Sequence, residues 1–75
     1  MSNDNYKTLC ENIRFIREKS GLSHKEMAEL LHIPAATQQK LEMGIITKRA
    51  KIDIVFYIEA IFKISPEDLF TKSLK

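Results

Sequence analysis

Apolar residues recur at Leu9, Ile13 and Ile16, an i, i+4, i+7 spacing that lays one stripe along a helix. The spacing predicts a first helix from about Asn5 to Ser20, capped by Asp4, flanked by Tyr6 and Phe15, and stopped by Gly21. Met27, Leu30 and Leu31 mark a second helix, and Ser23-x-x-Glu26 at its start has the form of a capping box. The pattern breaks at His32-Ile33-Pro34. Pro34 suits the first turn of a third helix, or the position just before it, because its missing N–H does no harm there. That third helix is predicted over about 35–43, ending at Gly44. Residues 45–51 read as a connector. Ile52, Val55, Phe56, Ile58 and Phe62 then read as a buried helix, since the segment is long for a strand and lacks glycine. Ser65-Pro66-Glu67-Asp68 combines a cap, a proline at the first position and acids at the positive end of the helix dipole. It predicts a last short helix anchored by Leu69 and Phe70, with Thr71 to Lys75 fraying.

Composition narrows the fold class. Only two glycines and two prolines occur in 75 residues, too few turn residues for many short strands, so an all-α fold is expected. The length sets one domain over 1–75, with a core at about 5–70. A chain this short buries only ~60% of its unfolded surface, so a partner chain would help it. One cysteine cannot make an internal disulfide, which suits a reducing cytoplasm. No apolar run approaches the ~18 residues of a membrane span, and MSNDNYKTLCEN lacks the basic start and apolar stretch of a signal peptide. A cytoplasmic location with no membrane contact is the expectation.

Charge adds a local signal. The formal net charge of +2 implies little by itself. Residues 40–51 hold Lys40, Lys48, Arg49 and Lys51 against Glu42 alone, a local charge of +3 just after the third helix. Such a cluster serves phosphate binding, or simply a solvated loop.

Residues 23–44 carry the functional signal. Two short helices joined by a tight turn, with a cap at one end and a glycine stop at the other, form the spacing of a helix-turn-helix. In that motif the second helix enters the DNA major groove. An enzyme is not expected. The acids are scattered as helix-face charges, no glycine-rich phosphate loop occurs, and Cys10 has no base near it in sequence and reads as a small core residue. Neither a cofactor nor a metal is expected, since no carboxylate or cysteine shares ligand spacing with both His24 and His32.

The chain resembles the Cro/phage-repressor type of helix-turn-helix domain, the XRE family, over about residues 9–70. The matching residues are Ile13-Arg14-x-x-Arg17-Glu18-x-x-Gly21-Leu22-Ser23, then Met27-Ala28-x-x-Leu31, Leu41-Glu42-x-Gly44 and Ile64-Ser65-x-x-x-Leu69. The resemblance implies a compact five-helix lambda-repressor-like domain that binds double-stranded operator DNA as a homodimer on a two-fold site. It implies that Ala28 lets the motif helices cross closely and that Arg17 pairs with Glu42. It places base reading on Ala35, Ala36, Gln39 and Lys40. Phosphate binding falls to His24, Thr47, Lys48, Arg49 and Lys51. Four positions depart from the family. His32 and Lys63 stand where turn glycines are usual, Gln38 replaces a buried Ile or Val, and Glu59 replaces a small core residue.

The expected function is a sequence-specific DNA-binding transcriptional regulator. Two alanines on the reading helix can touch thymine methyls but make no hydrogen bonds, which leaves direct readout to Gln39 and Lys40. A protein-interaction module on the same scaffold, an antirepressor or regulatory subunit with a protein partner, is the alternative. Ile45, Ile46, Ile54 and Ile61 motivate it. Ile54, Tyr57, Ile61 and Phe70 are the expected dimer surface.

Overall fold

The computed structural model describes the backbone of residues 2–45 and 48–74 and the side chains of residues 7–45 and 52–74. It is all-helical, with no strand among the described residues: α1 Ser2–Lys19, α2 His24–Leu31, α3 Ala35–Glu42, α4 Lys48–Phe62 and α5 Pro66–Thr71. α1 packs on α5 and α3, α2 on α3 and α4, and α4 on α5. Leu9, Ile13, Met27, Leu31, Leu41, Ile54, Ile58 and Leu69 are fully buried where these helices meet. Every helix thus contributes to one core, and Cys10 belongs to it as well. Burial, then the charge of Glu11, pushes the Cys10 thiol upward.

Helices α1, α2 and α3 end in the same way. Gly21 (φ 72°), His32 (φ 60°) and Gly44 (φ 91°) each take the left-handed conformation just past the helix. Around each, one N–H reaches back to close a wide turn: Leu22 to the Arg17 carbonyl at 3.1 Å, Ile33 to Ala28 at 3.0 Å and Ile45 to Lys40 at 2.8 Å. The preceding N–H closes a tighter turn inside it, from Gly21 to Glu18, His32 to Glu29 and Gly44 to Leu41. These paired bonds satisfy carbonyls that the helix end would otherwise leave open. His32 does glycine's work in the middle case. Its ring then stacks on Tyr57 of α4, centroids 4.5 Å apart and planes 22° from parallel, so the turn is tied to the next layer.

Four expectations are corrected. α1 begins at Ser2, so Asp4 lies inside the helix and is not its cap. α4 begins at Lys48, so the last residues of the expected connector form its first turn; lysine, arginine and alanine are good helix formers, even at an end whose dipole disfavours cations. Within α4, Ile52 and Phe56 are exposed, at 57% and 63%, whereas Ile54 is fully buried. The segment is apolar on nearly every side, so its periodicity could not fix which side turns inward. Lastly, residues after α5 are held. Asn12, buried at 1% exposure, donates from Nδ2 to the carbonyls of Leu69 (2.8 Å) and Lys72 (2.6 Å). Its Oδ1 accepts from the Leu74 N–H at 3.0 Å.

Candidate nucleic-acid interface

Local chemistry sets the α2–α3 pair. Ser23 Oγ accepts from the Glu26 N–H at 3.1 Å, and Glu26 Oε1 accepts from the Ser23 N–H at 2.8 Å, a reciprocal capping box. Met27 and Leu31 point into the core, and Ala28, 2% exposed, is small enough for α3 to approach. Pro34 occupies the N-cap of α3 with extended backbone. Helix α3 buries Gln38 and Leu41 and leaves Ala35, Ala36, Gln39 and Lys40 exposed. These four share the outer face, at i, i+4 spacing from Ala35 to Gln39 and from Ala36 to Lys40. Met43, 74% exposed, continues it one turn beyond Gln39 and was missed by the sequence reading.

A charged cluster holds α3 from behind. Arg17 Nε donates to Glu42 Oε2 at 2.6 Å and Nη2 to Oε1 at 3.1 Å, while Nη1 reaches the Leu22 carbonyl at 2.9 Å. The pair is largely desolvated, with side chains 13% and 6% exposed. Such two-pronged geometry fixes angle as well as distance. Gln38 Nε2 also donates to Glu42 Oε2, at 2.7 Å. Burial pushes the Glu42 carboxyl upward, but the hydrogen bonds from Arg17 and Gln38 and the charges of Arg17 and His24 outweigh it, and the net shift is downward. The Glu42 hydrogen bond in turn raises Arg17, against a smaller opposing effect of burial.

His24, expected at a phosphate, opens α2 with its Nε2 3.2 Å from Glu42 Oε1. It therefore joins the same cluster, although its side chain is 40% exposed. An open cleft of about 320 Å³ lies beside it, lined by Arg14, Arg17, His24, Gln39, Glu42 and Met43. Arg14 is the cation that sequence reasoning passed over. It pairs with Glu18 at 3.2 Å while staying 61% exposed, so it remains available to an anion near Gln39. Its i, i+3 offset from Arg17 was the legible signal. Thr47 lies outside the described residues, as do the side chains of Lys48, Arg49 and Lys51; the backbone of the last three forms the first turn of α4.

Among the described residues no group of three His, Cys, Asp or Glu could hold a metal ion, and no helix is long and apolar enough to cross a membrane. Compared with protein-family models, with curated proteins and with solved structures, the chain matches none. The functional reading rests on the site itself.

Proposed function

We propose that this chain is a DNA-binding transcriptional regulator of the lambda-repressor-like type, acting in the cytoplasm as two copies on a two-fold operator. One observation carries the reading. The outer face of α3 is exposed and holds small and amide side chains, while its inner side is fixed to α1 by the Arg17–Glu42 pair and to the core by Leu41. A rigid helix with a low-profile face suits the major groove, where Gln39 can pair with adenine N6 and N7 and Lys40 can reach guanine or a phosphate. Ala35, Ala36 and Met43 offer apolar contact to thymine methyls. Arg14 and the cations opening α4 supply the sequence-independent attraction that positions such a helix.

Selection of bound duplexes from a random pool, followed by mobility shifts at rising salt, tests the reading. An enriched pseudo-palindromic site with half-sites ~34–36 Å apart supports it. No binding to any duplex at low salt rejects it.

A second reading, a protein-interaction module on the same scaffold, is favoured by the alanines on α3 and by the exposed Ile45, Ile52 and Phe56. It gains if selection enriches nothing.

A further inference from the structure

The Glu42 carboxylate is approached by Arg17 and Gln38, and also by His24 Nε2, 3.2 Å from Oε1. A nitrogen lone pair so close to an anion is repelled, so the hydrogen of a neutral His24 ring belongs on Nε2. The ring's second nitrogen, Nδ1, is then an acceptor. It becomes a donor only when the ring takes up another proton. The side chain is 40% exposed and lines the open cleft with Arg14, Gln39 and Met43. The charges around it balance. Helix α1 brings Arg14, Arg17 and Glu18 together, and turns Lys19 onto Phe15. Helix α3 brings Glu42, while Lys40 lies off the lining. On α2 itself Lys25 and Glu26 follow in sequence, and Glu26 is held by the Ser23 N–H. Helix α4 meets this layer past the far end of α2, where Tyr57 stacks on His32. Arg14 and Arg17 offset Glu18 and Glu42, and Lys25 offsets Glu26. The proton on His24 therefore decides whether the cleft is neutral or positive.

We infer that DNA binding by this chain is linked to protonation of His24: a backbone phosphate seats in the cleft between Arg14 and His24, and the imidazole takes up one proton as the complex forms. The inference rests on the proposed function and adds its regulation by pH. Gln39 borders the cleft and also belongs to the reading face of α3, so DNA engaged by that face brings a phosphate strand alongside the cleft. A neutral ring would set the Nδ1 lone pair against that phosphate. An imidazolium donates on both sides, to Glu42 and to the phosphate, and charge-assisted bonds of this kind are the strong ones. The direction follows from linkage. The complex binds this proton more tightly than the free chain, so affinity is greatest at the acid end of the histidine range and falls as pH rises through it. That range, about pH 5 to 8, lies above the acid range in which Glu42 is protonated, so the effect on DNA is separable from acid unfolding.

The test measures binding of the full chain to the random duplex pool at low salt, by fluorescence anisotropy from about pH 5.5 to pH 8, with helicity recorded at each point. Affinity should fall with rising pH by up to about tenfold per unit for each chain bound, the limit for one linked proton. His24→Lys, a cation throughout this range, should bind at about pH 8 as the unmodified chain does near pH 5.5. His24→Gln, which donates without titrating, should lose most of the slope. His32→Asn, outside the cleft and tolerant of the left-handed turn, should keep the slope of the unmodified chain. A flat profile in the unmodified chain, or an equally steep one in His24→Gln and His24→Lys, overturns the inference and leaves the proposed function standing. No binding at any pH overturns both.

Discussion

Gln38 donates from Nε2 to Glu42 Oε2 at 2.7 Å, yet its own Oε1 is buried with no hydrogen-bond partner among the described residues. One end of the amide supports the carboxylate and the other is left desolvated. An unsatisfied buried acceptor costs ~1–3 kcal/mol, comparable to the net worth of the bond Nε2 makes. Gln38→Leu should therefore change stability by less than about 1 kcal/mol, or raise it. Gln38→Glu, which sets a second carboxylate beside Glu42, should destabilise strongly. Urea midpoints of the two variants check the pair; a large loss for Gln38→Leu would show that the amide's contribution exceeds its cost.

Arg17 and Glu42 predict an acid-sensitive fold. The Glu42 carboxyl is held below its ordinary value of 4.5 in the folded chain. The folded state therefore binds this proton less readily than the unfolded state. The stabilisation is complete above about pH 4.5 and is lost as pH falls through the lower folded value. Glu42→Gln should remove that part of the pH dependence while leaving the neutral-pH fold helical. Arg17→Ala should cost about 3 kcal/mol at neutral pH, the low end for breaking a buried pair, because Gln38 and His24 still face the carboxylate. Unfolding curves from pH 7 to pH 3 measure both.

Asn12 predicts a local release. It makes three hydrogen bonds to residues 69, 72 and 74. Asn12→Ala should cost about 2–4 kcal/mol, at ~1 kcal/mol per bond and more for the buried carbonyl of Leu69. Amide exchange at Leu74 should accelerate more than exchange at Leu31 in the core. Equal acceleration at both sites would mean that the tail is not a separate unit.

His32 predicts a compensated turn. A left-handed conformation costs a non-glycine residue ~1 kcal/mol, and an aromatic stack returns a similar amount. His32→Gly should thus lie within about 1 kcal/mol of the unmodified chain, while His32→Val, strained and without the stack, should be clearly worse. A double-mutant cycle of His32→Gly with Tyr57→Ala isolates the stack; a coupling below about 0.5 kcal/mol would remove it from the account.

Sequence carried the helices with distinctive ends. Ser23-x-x-Glu26, Ser65-Pro66, Gly21 and Gly44 name their own chemistry, and α2, α3 and α5 fall within a residue or so of where those signals put them. The phase of α4 was not legible, because burial there is decided by which neighbours α2 and α5 present and not by the helix itself. Asn12 was illegible for a related reason. Its partners are backbone groups some sixty positions away, and nothing about an asparagine among helix-forming residues announces them. In the candidate interface, the family resemblance implied the outer face of α3, but only the packed structure shows Met43 extending it and His24 turned toward Glu42.

The reading face of α3 predicts the chemistry of its DNA site. Gln39 is the one exposed amide between apolar Ala35, Ala36 and Met43, with Lys40 alongside. Gln39→Ala should relax preference at one or two base pairs, at ~1–3 kcal/mol each, with helicity unchanged. The apolar neighbours should make binding depend on thymine methyls. Replacing thymine by uracil within the selected half-site removes only that methyl group. Each methyl so removed should weaken binding several-fold, since burying such a group is worth about 0.8 kcal/mol. Uracil placed outside the half-site controls for altered duplex shape. A selected site whose affinity ignores both uracil and Gln39→Ala would move specificity away from the face of α3, to DNA deformability or to another surface of the chain.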